Sequence, residues 1–286
     1  EYGPVSTYKL FSWKQGENTP KHVASVKTKK PAYLHSFAMT ENHIVLILGP
    51  LIVNPLELLF SGKPFIENFK WNAAESTRIY VINKHNKSIH SFELEPFFVF
   101  HHINAFETDK RIEVDLLSYK DASIIQQLYL DDLCSGLEIN KPAVPCIKRI
   151  SIDLANKQIE KTLLNENGLE LPTIDYKNCS TQKYDYFYGV AEHKKGDFLN
   201  KLVKISAKSA LAEASWHEEN CYPSEAIFVP GPVSNSGILI SIVTNIAQSI
   251  SFCLILDSNN LGELCRIPLP HLIPFHFHGQ FREGLL

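Results

Sequence analysis

Histidines at the ends of apolar segments are the residues of this chain best suited to chemistry. Residues 97–107 read FFVFHHINAFE, so four apolar residues run directly into His101 and His102. A short apolar run of this kind is typical of a buried strand. An imidazole at the end of such a strand needs a hydrogen-bond partner or a metal ion, because little water reaches its ring nitrogens. Taken alone, the segment fits a hydrogen-bonded core histidine equally well.

Two other segments repeat this pattern far away in the sequence. Residues 33–48 read YLHSFAMTENHIVLIL and contain His35, and residues 273–281 read IPFHFHGQF and contain His276 and His278. Three such segments suggest that their histidines converge in space, where an all-imidazole set would suit iron, copper or zinc. Adjacent strand residues face opposite sides, so only one of His101 and His102 can point to a shared centre. Alternation does not say which one.

Short strands joined by polar turns dominate the rest of the chain. We predict strands at 78–82, 88–92, 112–116, 146–154, 158–163, 184–191, 199–205, 226–229, 237–244, 251–256 and 264–268. Polar turns are predicted at 84–87, 156–157 and 257–260. Only residues 121–133 look helical, with Asp121 as the cap. The pattern indicates an all-β sandwich, barrel or propeller, and no fixed-period repeat selects among them.

Composition excludes several classes of function. The 286 residues are 44% hydrophobic and 21% charged, with a formal net charge of -3, which is ordinary for a globular protein and argues against nucleic acid as a partner. The six cysteines form no CxxC pair, so we expect free thiols in a reducing compartment. No apolar run is long enough to span a bilayer. We therefore expect a cytoplasmic protein, with association at a membrane surface left open.

The three histidine segments, together with residues 170–172 (ELP) and 222–230 (YPSEAIFVP), resemble the carotenoid cleavage oxygenase family. The five motifs occur in the family's order and span most of the chain. The resemblance implies a seven-bladed β-propeller with short helical insertions, of which residues 1–286 would form the C-terminal portion of one oxygenase domain. It also implies that a first metal-binding histidine lies upstream of Glu1. We therefore expect this portion alone neither to fold well nor to turn over substrate.

The resemblance also assigns the candidate site residues. It implies Fe(II) as the cofactor, bound by His35, His101 and His278. It implies that carboxylates accept hydrogen bonds from these imidazoles, and the matching residues are Glu170 and Glu225. The alternative is that both glutamates are ordinary surface residues. The family does not use the position of His276, which we interpret as a packing or supporting residue.

A lipophilic substrate would need an apolar tunnel lined by aromatic side chains. The candidates nearest the motifs are Tyr33, Tyr119, Phe275 and Phe277, although core packing is an alternative role for each. Residues 51–69 are rich in Leu and Phe and are broken by Pro and Gly. They form either a loop packed on the core or, as the resemblance implies, an apolar patch at the tunnel mouth that makes peripheral membrane contact.

The functional hypothesis that follows is an Fe(II)-dependent dioxygenase. It would use dioxygen to cleave a carbon–carbon double bond of a carotenoid, apocarotenoid or stilbene-like substrate to two carbonyl products. A retinoid isomerase that uses the same iron as a Lewis acid is an alternative within the family. A non-catalytic β-propeller that binds a partner or lipid is a second alternative. A zinc hydrolase built on His276 and His278 is a weaker third, because it lacks a third ligand.

Overall fold

The computed structural model describes residues 1–131, 143–233 and 236–282, and strands dominate this part of the chain. The strands are β1 (Ser6–Ser12), β2 (Lys21–Thr28), β3 (Ala38–Met39), β4 (His43–Leu48), β5 (Leu51–Val53), β6 (Phe69–Trp71), β7 (Thr77–Asn83), β8 (Ile89–Leu94), β9 (Phe98–Glu107), β10 (Ile112–Tyr119), β11 (Cys146–Asp153), β12 (Gln158–Asn165), β13 (Glu170–Thr173), β14 (Tyr186–Ala191), β15 (Lys201–Ser206), β16 (Ala212–His217), β17 (Cys221–Pro223), β18 (Ile227–Pro230), β19 (Gly237–Asn245), β20 (Ile250–Asp257) and β21 (Glu263–Pro268). The all-β prediction is therefore confirmed.

Four antiparallel sheets follow one another along the chain. Their strand orders are β3-β4-β7-β8, β9-β10-β11-β12, β13-β14-β15-β16 and β17-β19-β20-β21, and β18 also pairs with β19 in the last sheet. Two smaller units accompany them, the hairpin β1-β2 and the pair β5-β6. Because each large sheet is built mainly from neighbours in sequence, short turns are enough to connect its strands.

The hydrophobic core lies between successive sheets. One buried cluster joins Val81 of the first large sheet to Ile150 of the second. A second cluster joins the second sheet to the third, and a third cluster joins the third to the fourth. In the central strands β4 and β7, residues on both faces are buried, as expected for strands covered on two sides. The sheets therefore stack as layers in chain order, and no strand pairing in the described ranges closes them into a single sheet.

The first strands of the first three large sheets lie next to each other. Strand β9 contacts β3 of the preceding sheet on one side and β13 of the following sheet on the other. This places the ends of three sheets around a common region, although the strands are far apart in sequence. Each first strand, or the residues immediately before it, carries one of the predicted site motifs.

Side chains at the start of the turns explain why the chain reverses where it does. The amide of His85 donates to Asn83 Oδ1 at 2.9 Å, and the amide of Asn259 donates to Asp257 Oδ1 at 2.7 Å. The Asp153 carboxylate likewise accepts from the backbone amide of Asn156 at 2.9 Å. Asn and Asp favour turns through such local hydrogen bonds. The predicted turns at 84–87, 156–157 and 257–260 are confirmed.

The predicted helix at 121–133 is wrong in its extent. In the described part of this range, helix covers Ser123–Gln127 and again residues 130–131, and Ala122 rather than Asp121 is the cap residue of the first of these. The Asp121 carboxylate still accepts a hydrogen bond from the amide of Ser123 at 2.9 Å. Leu128 has φ -91° and ψ 0°, which ends the regular helix, and residues 132 and 133 lie outside the described residues.

Residues 51–71 form a compact insertion of strands and helices. Helix Pro55–Phe60 and the 3-10 helix Phe65–Asn68 lie between β5 and β6, and Asn54 caps the first helix by accepting from the Leu56 amide at 3.0 Å. Leu56, Leu59 and Phe60 are 67%, 72% and 79% exposed. The alternative of packing on the core therefore holds for Leu51, Val53 and Phe69, which are buried in a core cluster, but not for the exposed face of the helix. A further short helix, Tyr176–Cys179, follows β13.

Two other sequence-based expectations concern cysteines and membrane-spanning helices. The cysteines in the described residues are free thiols, as expected, and Cys134 lies outside those residues. Among the described residues, none of the helices has the length and apolar character needed to cross a bilayer.

Candidate metal centre

Three histidines from separate parts of the chain meet where the first strands of the sheets converge. His35 precedes β3, His101 lies in β9, and His278 lies in the extended segment after β21. One ring nitrogen of each lies within 4.8 Å of the corresponding atoms of the other two. The ring centroid of His101 lies 5.0 Å from that of His35 and 5.2 Å from that of His278. The structure thus brings together the three histidines that the resemblance implied as ligands.

Two carboxylates hold two of these rings through Nδ1. Glu170 Oε2 lies 2.6 Å from His101 Nδ1, and Glu225 Oε1 lies 3.2 Å from His278 Nδ1. A carboxylate only accepts hydrogen bonds, so Nδ1 of each histidine carries the proton. In the neutral ring, Nε2 is then left with its lone pair. The third ring is held differently, since His35 Nδ1 lies 2.9 Å from the Tyr33 hydroxyl.

The donor atoms fit a transition-metal ion. His101 Nε2 and His278 Nε2 face each other at 3.4 Å. Two lone pairs at this distance repel each other unless a cation lies between them. Metal–nitrogen bonds of about 2.1 Å at angles between about 90° and 110° place two ligand nitrogens roughly 3.0–3.4 Å apart. Imidazole donors suit iron, zinc, copper and nickel better than the harder ions calcium and magnesium.

Glu170 lies at the centre of the strongest hydrogen-bond network of the site. Besides His101, its carboxylate accepts from the Tyr119 hydroxyl through Oε1 and from the Leu171 amide at 3.2 Å through Oε2. Leu171 adopts φ +53°, a left-handed conformation that is costly for a leucine. With 7% of its surface exposed, Glu170 is buried and hydrogen-bonded, so the alternative that it is a surface residue is wrong.

Glu225 holds the C-terminal segment as well as His278. Its second oxygen accepts a hydrogen bond from the Gly279 amide at 2.9 Å. The carboxylate therefore binds the ring and the backbone that follows it. Desolvation and the neighbouring imidazoles of His101 and His278 lower the pKa of His35, which favours the neutral form that a metal ligand requires.

An apolar cavity of about 290 Å³ adjoins the three histidines. Tyr119, Phe275 and Phe277, three of the four candidates for a substrate tunnel, line it, whereas Tyr33 is not among its lining residues. The sequence analysis missed two aromatic rings that also line it, Phe100 and Phe198.

A register change explains why Phe100 was missed. Leu116 pairs with His102 and Ser118 pairs with Val99, so β9 contains one more residue than β10 between these two pairs. This β-bulge interrupts the alternation that the sequence argument assumed. Phe198 lies in the loop before β15, where no periodic pattern marks the residues that face a site.

The other histidines of the motifs lie outside the cluster. His102 is partly buried, its Nδ1 lies 2.7 Å from Ser36 Oγ, and desolvation lowers its pKa to about 3. Within the described residues, the grouped donors are His35, His101 and His278, without His276. The hypothesis of a zinc hydrolase on His276 and His278 therefore gains no support from the geometry.

Comparison with known proteins gives a consistent result. The family model described as "Retinal pigment epithelial membrane protein" matches residues 1–283. The mitochondrial carotenoid-cleaving dioxygenase of Macaca fascicularis is 31% identical over 307 residues, covering 91% of this chain and 54% of the relative. The β,β-carotene 15,15'-dioxygenase of Mus musculus is 30% identical over 318 residues, covering 94% of this chain and 55% of the relative. The chain thus spans about half the length of the curated relatives it matches.

Solved structures show the same fold. The cobalt-substituted Synechocystis oxygenase superposes with a TM-score of 0.87 at 23% identity, covering 99% of this chain and 60% of that chain. A variant of Synechocystis apocarotenoid oxygenase gives a TM-score of 0.83 at 23% identity, covering 98% of this chain and 59% of that chain.

Proposed function

Because the chain belongs to the family of the retinal pigment epithelial membrane protein and the carotenoid cleavage oxygenases, we propose that the protein is a non-haem iron dioxygenase. Its reaction is the cleavage of a carbon–carbon double bond in a carotenoid, apocarotenoid or stilbene-like substrate, which gives two carbonyl products. The observation that carries this proposal is the cluster of His35, His101 and His278 at one side of an aromatic-lined cavity.

The three histidines would hold Fe(II) through their Nε2 atoms. A bound ferrous ion supplies the redox chemistry that lets dioxygen react with a double bond. Glu170 and Glu225 keep the Nδ1 proton of their histidines in place, which leaves Nε2 free as the donor. Imidazole ligands to a metal carry no charge, so the two nearby carboxylates would also balance the charge of the ion.

The cavity would receive the substrate. A polyene or stilbenoid is flat and apolar, and aromatic side chains offer it faces and edges for contact. Phe275 and Phe277 pack edge to face at 5.9 Å and continue the apolar wall from His278. These walls exclude water and orient the double bond toward the histidines, while dioxygen enters as the second substrate.

The proposal extends to the complete fold. We propose that the complete fold is a seven-bladed propeller, to which this chain contributes its four large sheets. A further histidine from outside the chain would then complete the ligand set. The exposed apolar helix Pro55–Phe60 would touch a membrane surface, from which a cytoplasmic enzyme could take up its lipophilic substrate.

The test uses the protein in its natural full length, loaded anaerobically with Fe(II) and mixed with carotenoid, apocarotenoid and stilbenoid substrates under oxygen-18 gas. We expect about one iron per chain and two carbonyl products that contain the label. An isomerised product without label would support the isomerase. A protein that retains no iron and leaves every substrate unchanged would contradict the proposal and support a non-catalytic propeller.

A further inference from the structure

The hydroxyl of Tyr119 makes a contact that a substrate-facing aromatic residue would not need. Tyr119 ends β10 and donates its hydroxyl proton to Glu170 Oε1. Tyr119 is 3% exposed and Glu170 is 7% exposed, so water does not compete strongly for this hydrogen bond. Burial, together with the adjacent Glu170 carboxylate, raises the pKa of Tyr119 well above its usual value. The phenol therefore keeps its proton and acts as a donor.

The hydrogen bond connects Tyr119 to His101 through a single carboxylate. Glu170 accepts from Tyr119 through Oε1 and from His101 Nδ1 through Oε2, the latter at 2.6 Å. Because the two donors bind different oxygens, the carboxylate cannot turn about its axis without weakening one of them. The Leu171 amide adds a third donor on the Oε2 side. The plane of the Glu170 carboxylate is thus fixed from both ends.

The Tyr119 ring is itself held in place by other aromatic rings. It packs edge to face against Phe100 at 5.8 Å and at an angle of 46° against Phe98 at 6.2 Å. Both rings belong to β9, the strand that carries His101. The position of the hydroxyl is therefore set by packing between β9 and β10, independently of the carboxylate that it binds.

We propose that Tyr119 is a positioning residue of the metal centre, whose hydroxyl fixes Glu170 and, through Glu170, the ring angle of His101. This role rests on the proposed function, because it requires a metal ion on His101 Nε2. The Tyr119 hydroxyl is thus an additional hydrogen-bond donor to the carboxylate that accepts from His101. This role also gives the hydroxyl of Tyr119 a purpose separate from the contact of its ring with substrate.

A second tyrosine provides a matched control. Tyr184 is 6% exposed and donates to the carboxylate of Asp115 at 2.7 Å, so it makes the same type of buried hydrogen bond. The carboxylate of Asp115 is paired with Arg149 rather than with a histidine of the cluster. Replacing either tyrosine with phenylalanine removes one hydroxyl and keeps the ring. Only the change at Tyr119 affects a group that contacts His101.

The experiment compares wild type, Y119F and Y184F in the natural full-length protein. Metal affinity is measured by competition with a chelator for Co(II), and the visible bands of bound Co(II) report the ligand geometry. Thermal unfolding of the metal-free proteins measures the loss that any buried hydroxyl would cause. We expect Y119F to bind Co(II) about 3- to 10-fold more weakly, with shifted bands, since loss of the glutamate itself typically costs about 10–100-fold.

The outcomes separate this inference from the proposed function. Weaker Co(II) binding and shifted bands in Y119F, with wild-type values in Y184F, support the positioning role. If wild type and Y119F bind Co(II) with the same affinity and spectrum, the positioning role is wrong while the metal centre stands. Equal losses in Y119F and Y184F indicate a purely structural hydroxyl and also overturn it. If wild type binds no Co(II) or Fe(II), the proposed function fails and the inference fails with it.

Discussion

At the scale of single residues, the site depends on which nitrogen of each imidazole is free. Glu170 and Glu225 engage Nδ1 of His101 and His278, so both rings present Nε2 to the same point. Without those acceptors the rings could rotate or exchange tautomers, and the shared point would be lost. The carboxylates therefore determine the donor atoms as much as the histidines do.

The first prediction concerns His101, which lies between the other two rings. H101A removes the imidazole whose Nε2 faces His278 at 3.4 Å, so we expect metal affinity to fall by at least about 100-fold, more than for loss of a supporting residue. H276A is the control, because His276 lies in the same motif region as His278 but outside the cluster. The measurement is iron content after dialysis against a weak chelator. If H101A retained as much iron as wild type, His101 would not be a ligand.

The sequence could predict the three histidines but not all their partners. Apolar runs that end in His101, His35 and His278 are visible in the sequence. Glu170 and Glu225 were assigned from the motifs that contain them. The hydroxyl of Tyr119 gives no such signal, because nothing near it in sequence indicates that it meets Glu170. This contact joins residues 51 positions apart and depends on how β10 and β13 are placed.

At the scale of secondary-structure elements, a carboxylate clamps two neighbouring sheets. Glu107 ends β9, and its side chain accepts from Thr40 and Asn42 in the turn between β3 and β4 and from His43 at the start of β4. Burial opposes its ionisation, but the hydrogen bonds from these three residues lower the pKa of Glu107 to about 2. The clamp therefore holds the first strands of two sheets next to His35 and His101.

The second prediction follows from this lowered pKa. A depressed carboxyl pKa stabilises the fold above the unfolded-state value of 4.5, and this contribution is lost as the pH falls from 4.5 toward 2. We expect E107Q to lower the free energy of unfolding at pH 7 by about 1–2 kcal/mol, reduced from the full shift because the side chain is partly exposed. Urea unfolding from pH 7 to pH 3 measures the difference between wild type and E107Q, which should shrink below pH 4.5.

The control for this prediction is E41Q. Glu41 is exposed in the same turn, and its replacement makes the same change of charge. We expect E41Q to unfold as wild type does across the whole pH range. A pH-independent difference between E107Q and wild type would show that the carboxylate charge does not hold the clamp.

The third prediction concerns the helix Pro55–Phe60. The variant L59S/F60S removes two large exposed side chains, so we expect it to sediment less with neutral lipid vesicles, by several-fold. L211S/L264S is the control, because Leu211 and Leu264 are 59% and 58% exposed and lie away from this helix, Leu211 in the loop before β16 and Leu264 in β21. Vesicle sedimentation of purified protein is the measurement. Equal sedimentation of both variants and wild type would argue against this helix as the membrane contact.

Elements differ in how far the sequence could predict them. Alternation and turn chemistry were enough for strands such as β10 and β12, but β2 and β16 were not predicted. The prediction of one continuous helix at 121–133 failed at Leu128, where the backbone leaves the helical conformation although the apolar pattern continues. The β-bulge at Phe100 and His101 could not be predicted, because it depends on pairing with β10.

At the scale of the whole molecule, the site exists because four sheets stack in chain order. The pattern of strands could predict an all-β protein, but it could not order the sheets, since pairing between neighbours in sequence occurs in sandwiches, barrels and propellers alike. The observed stack brings β3, β9 and β13 together, with core clusters between each pair of sheets. Unlike His35 and His101, His278 is not placed by a first strand, because it reaches the site from the segment that follows the last strand.

The last prediction tests how that segment completes the site. Ile273 anchors it to the last sheet, where its carbonyl accepts from Thr244 and its amide donates to Ser251 at 2.8 Å. Beyond this anchor, Phe275 packs at the edge of the third core cluster and Phe277 is 55% exposed, so the segment adds one partly buried ring to the core. Ending the chain after Pro274 should therefore abolish metal retention and open one wall of the cavity, while the thermal unfolding midpoint of the metal-free protein changes by only a few degrees.

The control is a chain that ends after Phe281, which keeps His278 and the contact between Gly279 and Glu225. We expect it to retain metal as the uncut protein does. If the chain that ends after Pro274 also retained metal with unchanged affinity, His278 would not be a ligand. If instead it unfolded at a much lower temperature, the segment would be part of the core. It would then do more than contribute His278 to a site that the sheets already form. Because the sheets are packed by side chains that precede residue 270, we expect the first strands to stay in place and the loss to be confined to the metal.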